Sequence, residues 1–529
     1  MQKDFYNNEI ENTYSKATDV KYRRNLGQFF TPYKVAQFMA EWILGNKKDN
    51  VEILDPAAGL GIFERAIKEQ NKTRNIRFDL WEIDKNISNK LENITKELNI
   101  NSTIYAEDFL EKSSWNKKYD GIIANPPYYK HHNIKNKEKI FQDICIKTYF
   151  QFSIQTNIYC WFLIKSMNLL NDSGRLAFIV PSEFFNANYG EKVKEFLKQS
   201  GIVLHLININ FKENVFDNAL TTSVIIFAEK NKKRFNEINF YNVNDINQLS
   251  SLNLFLNNHK KKTIQTSKLD SKVKWRNYFN GYNNKNKNKK LVLFTKFGRF
   301  SRGIATGSNQ YFTLSEQEKN EFKITEDCLI PCITKANQVK DIIFKKSDFL
   351  KLKSDNKKIY LFNGEGSDDE SCKDYIKRGE NLEINQKYLT KKRNPWYSLE
   401  KRKIAKIWVS VFGRKGLKFI WNDTKCLNLT CFHGFYPTSY GEKYLNIIFL
   451  YLNTETAKKL FDKEKREYGN GLEKFEPNDI NKSFVIDFDL LDEDEIKKLS
   501  ALQEALLNSK PNERNKILEE ANKIFKNYV

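Results

Sequence analysis

Between Gln28 and about Lys230, short apolar runs alternate with stretches whose apolar residues recur at helical spacing. The runs at 51–54, 77–81, 102–105, 121–124, 175–180, 204–209 and 223–228 predict strands; 63–69, 87–98, 161–170 and 193–199 predict helices. A strand buried on both faces reads as a continuous apolar run. Strands alternating with helices therefore predict an α/β domain with a mostly parallel sheet. Past Asn231 the rhythm fades. Residues 283–290 read Asn-Asn-Lys-Asn-Lys-Asn-Lys-Lys, a polar low-complexity loop, and mixed short strands with basic clusters follow. Residues 492–527 read as helix. The expected layout is a polar lead-in (1–25), an α/β domain (26–232), a mixed α+β domain (233–490) and a helical tail (491–529).

Charge sharpens this layout. The net of +22 divides into +3 for residues 1–230, +23 for 231–470 and −4 for the remainder. One segment carries the whole excess, as a polyanion-binding surface would; a Lys-rich codon bias would have raised the first part too. The 529 residues, 40% apolar and 14% aromatic, allow two or three packed cores and exclude a disordered chain. No apolar run reaches the ~18 residues of a membrane span. Met1-Gln2-Lys3-Asp4 does not open a signal peptide, and the seven cysteines form no Cys-x-x-Cys pair. A reducing cytoplasm is the expected location, with no structural or catalytic metal.

The most specific chemistry lies at Asn125-Pro126-Pro127-Tyr128, directly after the run 121–124. An exocyclic amine on a base is a poor nucleophile because its lone pair is delocalised into the ring. The Asn125 amide oxygen and the Pro126 carbonyl can accept its two hydrogens and free that lone pair. The prolines stiffen the loop, and Tyr128 offers a ring for an extruded base. Upstream, Asp55-Pro56-Ala57-Ala58-Gly59-Leu60-Gly61 follows the first strand, Glu82 ends the second, and Asp108-Phe109 follow the third. Carboxylates at successive strand ends suit ribose hydroxyls and an adenine amine. The third glycine of a dinucleotide fingerprint is absent, and Asp55 opposes a pyrophosphate.

Together with Gln28-Phe29-Phe30-Thr31-Pro32, these motifs resemble the gamma class of DNA amino-methyltransferases, TaqI-like, with cofactor motifs first, the catalytic motif next and target recognition last. The resemblance covers residues ~22–230, with Ala58 where the family has cysteine or another small residue. It implies a Rossmann-like, S-adenosylmethionine-dependent domain that methylates the N6 amine of an adenine flipped out of duplex DNA. Thr31 and Pro32 would hold the cofactor's methionine end, with Asp55, Ala57 and Gly59 nearby. Glu82 would take the ribose, and Asp108, Phe109, Pro127 and Phe162 the adenine moiety. Asn125, Pro126 and Tyr128 would be catalytic, with Phe216 on the far face of the flipped base.

Other readings stay open on the residues alone: a bifunctional restriction–modification enzyme, an RNA or protein-glutamine amine methyltransferase, and a non-catalytic DNA-binding protein. Only 27 residues precede Gln28, short for a nuclease fold, and the basic segment favours duplex DNA. The expected partner is duplex DNA, with the protein a monomer on it, and either a separately encoded cognate endonuclease or, for an orphan methylase, none. Lys391-Lys392-Arg393 and Arg414-Lys415 are candidates for phosphates, and Trp396, Tyr397, Trp408 and Trp421 for packing or stacking on the nucleic acid.

Overall fold

The computed structural model describes residues 5–529 except 46–47, 72, 129–135, 188, 211–221, 280–289, 414–416, 463–465, 469–471 and 475. The chain divides into two compact units, residues 1–283 with 468–470, and the remainder.

The first unit is built on nine strands: β1 (Asn50–Asp55), β2 (Asn75–Trp81), β3 (Ser102–Tyr105), β4 (Tyr119–Ala124), β5 (Leu170–Pro181), β6 (Val203–Ile209), β7 (Ser223–Glu229), β8 (Glu237–Val243) and β9 (Lys261–Gln265). Their order is β3-β2-β1-β4-β5-β7-β6-β8-β9. The strands from β3 across to β5 are mutually parallel; β7 runs antiparallel to both β5 and β6. The first seven coincide with the seven apolar runs. Their period of two separates the faces. Leu54, Ile122, Val224 and Ile226 enter a core with helix Ile158–Asn168. Ile53, Ile123, Ile225 and Phe227 enter the opposite core with helix Tyr33–Leu44. The central strands β4, β5 and β7 are thus covered on both sides, which is why 121–124, 176–180 and 224–228 read as unbroken apolar runs, while the edge strand β3 is only half-buried.

Three boundaries differ from the sequence-based layout. The first unit does not stop at 232, because β8 pairs parallel with β6 and β9 closes a hairpin on β8. Ile238 and Phe240 pack into one core, Tyr241 and Val243 into the other. The lead-in is not separate: its helices Glu9–Ala17 and Val20–Asn25 belong to the first unit, and Tyr14 is buried with Leu60, Ile87 and Ile94. The tail 491–529 is not separate either. Its helices Glu493–Asn508 and Arg514–Lys526 bury Leu499, Leu506 and Phe525 in the main core of the second unit, with Val409, Phe419 and Phe435.

The second unit is mixed α+β. Strands Gly298–Arg302, Phe432–Pro437, Ile407–Ser410, Phe419–Asn422 and Ile343–Phe344 form one sheet in that order. A four-stranded sheet of shorter pieces sits over its own core, around Tyr311, Phe362 and Tyr375.

Candidate active site

Strand order brings the chemistry together. Neighbouring strands β3, β2, β1 and β4 end at or just before Asp108, Glu82, Asp55 and Asn125. Ligands of open α/β sheets sit at such carboxyl ends. A cavity of about 420 Å³ opens there, lined by Thr31, Ala57, Gly59, Glu82, Asp108, Phe109, Asn125, Pro127 and Phe162, together with the segment 25–30. The β1 turn can bend into this wall because Gly59 and Gly61 hold φ of 56° and 74°, a region hostile to a Cβ.

Each acid has a distinct state. Glu82 accepts from the Gly59 amide at 3.1 Å and the Asp84 amide at 2.8 Å. Desolvation outweighs those donors and pushes its pKa up to about 7. Asp108 caps the short helix Phe109–Lys112 through the Leu110 amide at 2.8 Å, and burial raises its pKa. Asp55 is fully buried behind the wall, not in it. One oxygen takes the Ala57 amide at 2.9 Å, the other has no hydrogen-bond partner among the described residues, and burial with the nearby Glu64 carboxylate drives its pKa well up. Pro32 is likewise outside the lining and begins helix Tyr33–Leu44. Phe109 stacks on Phe162, centroids 5.4 Å apart, and meets Trp81 edge-on at 5.9 Å.

Asn125 is held by its nitrogen end. Nδ2 donates to the Phe29 carbonyl at 2.7 Å and to the Thr31 hydroxyl at 3.0 Å. A carbonyl only accepts, so Phe29 forces the nitrogen toward itself and turns the oxygen away. That oxygen is buried and has no partner among the described residues. Leaving such an acceptor idle costs about 1–3 kcal/mol, which marks it as a group awaiting a donor. Pro126 is buried behind it. Tyr128 does not line the cavity. Its amide donates to Gly27 at 3.4 Å, its hydroxyl to Ile179 at 3.4 Å, and its ring stacks on Phe29 with centroids 5.5 Å apart. Phe216 lies outside the described residues.

Sequence reasoning missed Lys165. It is fully buried, and its ammonium donates to the carbonyls of Phe109, Leu110 and Ser113 at 3.0–3.3 Å, closing the Phe109–Lys112 turn from below. Burial pulls its pKa down to about 8. A lysine inside the apolar run Ile158-Tyr-Cys-Trp-Phe-Leu-Ile-Lys was the available signal, since lysine is buried only when held.

Two family models divide the chain. Residues 14–216 match the Eco57I restriction-modification methylase, and 276–525 match the C-terminal domain of type II methyltransferase M.Eco57I. Type II methyltransferase M.AccI of Acinetobacter calcoaceticus is 43% identical over 504 residues, 93% of this chain and 92% of its own. The chain belongs to the type II methyltransferases of restriction–modification systems. M.BsuBI of Bacillus subtilis, another type II methyltransferase, is 28% identical over 40% of the chain and 45% of its own length. Among solved structures, the type IIL restriction-modification enzyme MmeI, in complex with DNA, shares the fold with a TM-score of 0.59, 14% identity, and coverage of 97% of this chain and 77% of that one.

In this type II methyltransferase the second unit reassigns several side chains that sequence had offered to nucleic acid. Trp408 and Trp421 are buried in sheet cores and cannot reach a ligand. Arg393 is spent inside the unit, its guanidinium donating to the Ala305 and Thr306 carbonyls. Trp396 and Tyr397 are partly buried against the core of the shorter sheet, while Lys391 and Lys392 are exposed. Arg414 and Lys415 lie outside the described residues.

Proposed function

We propose that the chain transfers a methyl group from S-adenosylmethionine to the N6 amine of an adenine extruded from duplex DNA. The observation that carries this reading is the Asn125 oxygen, buried, oriented and unpartnered beside the cavity. It is the acceptor that an amine hydrogen needs before the nitrogen can attack.

The lining fits the cofactor. Among the described residues, Glu11, Glu82, Glu107, Asp108 and Glu111 contribute carboxylates to the lining and no lysine, arginine or histidine contributes a cation. Such a wall opposes a pyrophosphate and suits a ligand carrying an ammonium and a sulfonium. S-adenosylmethionine, when bound, supplies an electrophilic methyl. The chain's own work is to bind and align. Glu82 would accept from ribose hydroxyls, Asp108 from an adenine amine, and Phe109 and Phe162, stacked on each other, would give that ring an aromatic wall on one side. Asn125 and the Pro126 carbonyl would take the two hydrogens of the target amine, with Tyr128 and Phe216 against the base. Alignment and exclusion of water are sufficient for direct transfer, and no covalent intermediate is needed. Because this mechanism also needs no metal, chelation should leave the rate unchanged.

Duplex DNA as substrate is supported by the charge excess in 231–470 and by the DNA-bound relative of the same fold. A separate chain as cognate nuclease accords with the end-to-end match to M.AccI, named as a methyltransferase alone. We assign the protein to the cytoplasm, as a monomer on DNA; among the described residues no helix is long and apolar enough to cross a membrane.

Incubation with duplex DNA and S-adenosylmethionine, followed by digestion and mass spectrometry, should yield N6-methyladenine. N4-methylcytosine, or methyl groups on protein or RNA alone, would refute the reading. DNA affinity should fall steeply with salt, with a log–log slope near −0.9 per neutralised phosphate. Neutralising Lys391 and Lys392 together should flatten that slope. An unchanged slope removes them from the interface. Cofactor affinity should also follow pH. With a pKa of about 7, Glu82 is protonated below that value and cannot accept fully from a diol. Binding should therefore weaken as pH falls through 7, and calorimetry on Glu82→Gln should give weaker, pH-independent binding over that window.

A further inference from the structure

The value of Asn125 depends on which end of its amide faces the cavity, because oxygen and nitrogen have nearly the same shape. The Phe29 carbonyl at 2.7 Å, which can only accept, decides this, and the Thr31 hydroxyl at 3.0 Å from the same short segment adds a second point of hold. A single anchor leaves the amide plane free to swing about the bond; a second fixes it. Thr31 is well placed to be that second point. It is 1% exposed, immediately precedes Pro32 at the start of helix Tyr33–Leu44, and its carbonyl accepts from Asn8 Nδ2 at 3.0 Å. Asn8 in turn accepts the Tyr33 amide at 2.7 Å. The same segment braces the rest of the catalytic loop through the Gly27 carbonyl and the Phe29 ring on Tyr128.

We propose that Thr31 is a positioning residue for Asn125, its hydroxyl holding the amide so that the oxygen is presented to the target amine. The inference rests on the amine-methylation reading above. It differs from a role at the methionine end of the cofactor, the role the family resemblance implies, because a cofactor contact acts on affinity and a positioning contact on the transfer step.

The test uses the full chain with Thr31→Val, which keeps shape and loses the hydroxyl, and Thr31→Ser, which keeps the hydroxyl. Single-turnover methyl transfer, cofactor affinity by calorimetry and melting temperature are read on each. Thr31→Val should slow transfer on the order of 10- to 100-fold, the scale of a small misplacement of a reacting group, while cofactor affinity stays within about twofold and Thr31→Ser restores most of the rate. In an Asn125→Ala background, Thr31→Val should add no further loss, because it acts only through the missing amide.

Affinity falling in step with the rate would make Thr31 a cofactor contact and overturn the proposal. So would an unchanged rate, failure of Thr31→Ser to rescue, or an additive loss in the Asn125→Ala background. Wild-type chain that puts no methyl on adenine would instead overturn the reading beneath it, and that arm is scored separately.

Discussion

Replacing Asn125 with alanine is expected to lower methyl transfer at least ~10²-fold, comparable to removing one preorganised donor from an oxyanion site, while S-adenosylmethionine affinity stays nearly unchanged. The asymmetry follows from the geometry. The nitrogen end of Asn125 faces Phe29 and Thr31, so the oxygen is the functional end, and it has no structural partner to lose. Truncation removes a buried unsatisfied acceptor but also takes the donor from the Phe29 carbonyl and the Thr31 hydroxyl, so the two effects oppose and the variant should fold with stability near or somewhat below the wild type. Single-turnover transfer of labelled methyl, with calorimetric titration of the cofactor, checks both halves. A variant that turns over normally, or that fails only because the cofactor no longer binds, would remove Asn125 from the chemistry.

What could be read in advance divides along physical lines. The site's strand ends were legible because each strand is a short run with apolar positions that leads to a polar residue: Asp55 closing the buried β1, Asn125 after the buried β4, Glu82 after β2, and Asp108 three residues past the half-buried edge strand β3. The partners of those residues were not legible. Phe29 meets Asn125 across 96 positions, and its backbone carbonyl carries no sequence signal at all. Asp55 shows the reverse error, an acid correctly placed at a strand end but turned into the turn beneath the wall, where it shapes the Ala57 backbone. Past residue 232 the strands β8 and β9 were overlooked because Asn and Lys interrupt their apolar pattern. In the second unit, strands as short as Thr313–Leu314 and Ile343–Phe344 leave no period to detect. Aromatics near basic clusters were equally ambiguous. Trp408 alternates inward within a four-residue strand, so proximity in sequence to lysines says nothing about its face.

Arg65→Met is expected to cost about 3–5 kcal/mol, the scale for breaking a buried pair by removing one partner. Arg65 is fully buried, and each of its donor nitrogens has an acceptor. Nε donates to the Gly61 carbonyl at 3.2 Å, Nη1 to the carbonyls of Phe5 and Asn7 at 2.6 and 3.0 Å, and Nη2 to the Glu11 carboxylate. Three of those acceptors, Phe5, Asn7 and Glu11, come from the helix-bearing N-terminal segment, so one guanidinium docks residues 5–11 onto helix Ile62–Gln70. Methionine fills similar volume but takes the guanidinium donor from the Phe5 and Asn7 carbonyls, while Gly61 keeps the Arg65 amide at 3.0 Å; it also strands Glu11, only 2% exposed, in a site where desolvation already raises its pKa against the pull of Arg65. The segment should therefore undock before the sheet unfolds. Hydrogen exchange should show helix Glu9–Ala17 losing protection while β1 and β4 keep theirs. Because Glu11 and residues 25–31 line the cavity, cofactor affinity should drop with it. The paired change Glu11→Leu with Arg65→Met removes both charges, so it should recover part of the loss, the stranded carboxylate being gone. Full protection of Glu9–Ala17 in Arg65→Met would show that apolar packing around Tyr14 holds the segment without the ion pair. The recovery in the double variant then measures how much of the docking is charge and how much is the burial of Tyr14 against Leu60, Ile87 and Ile94.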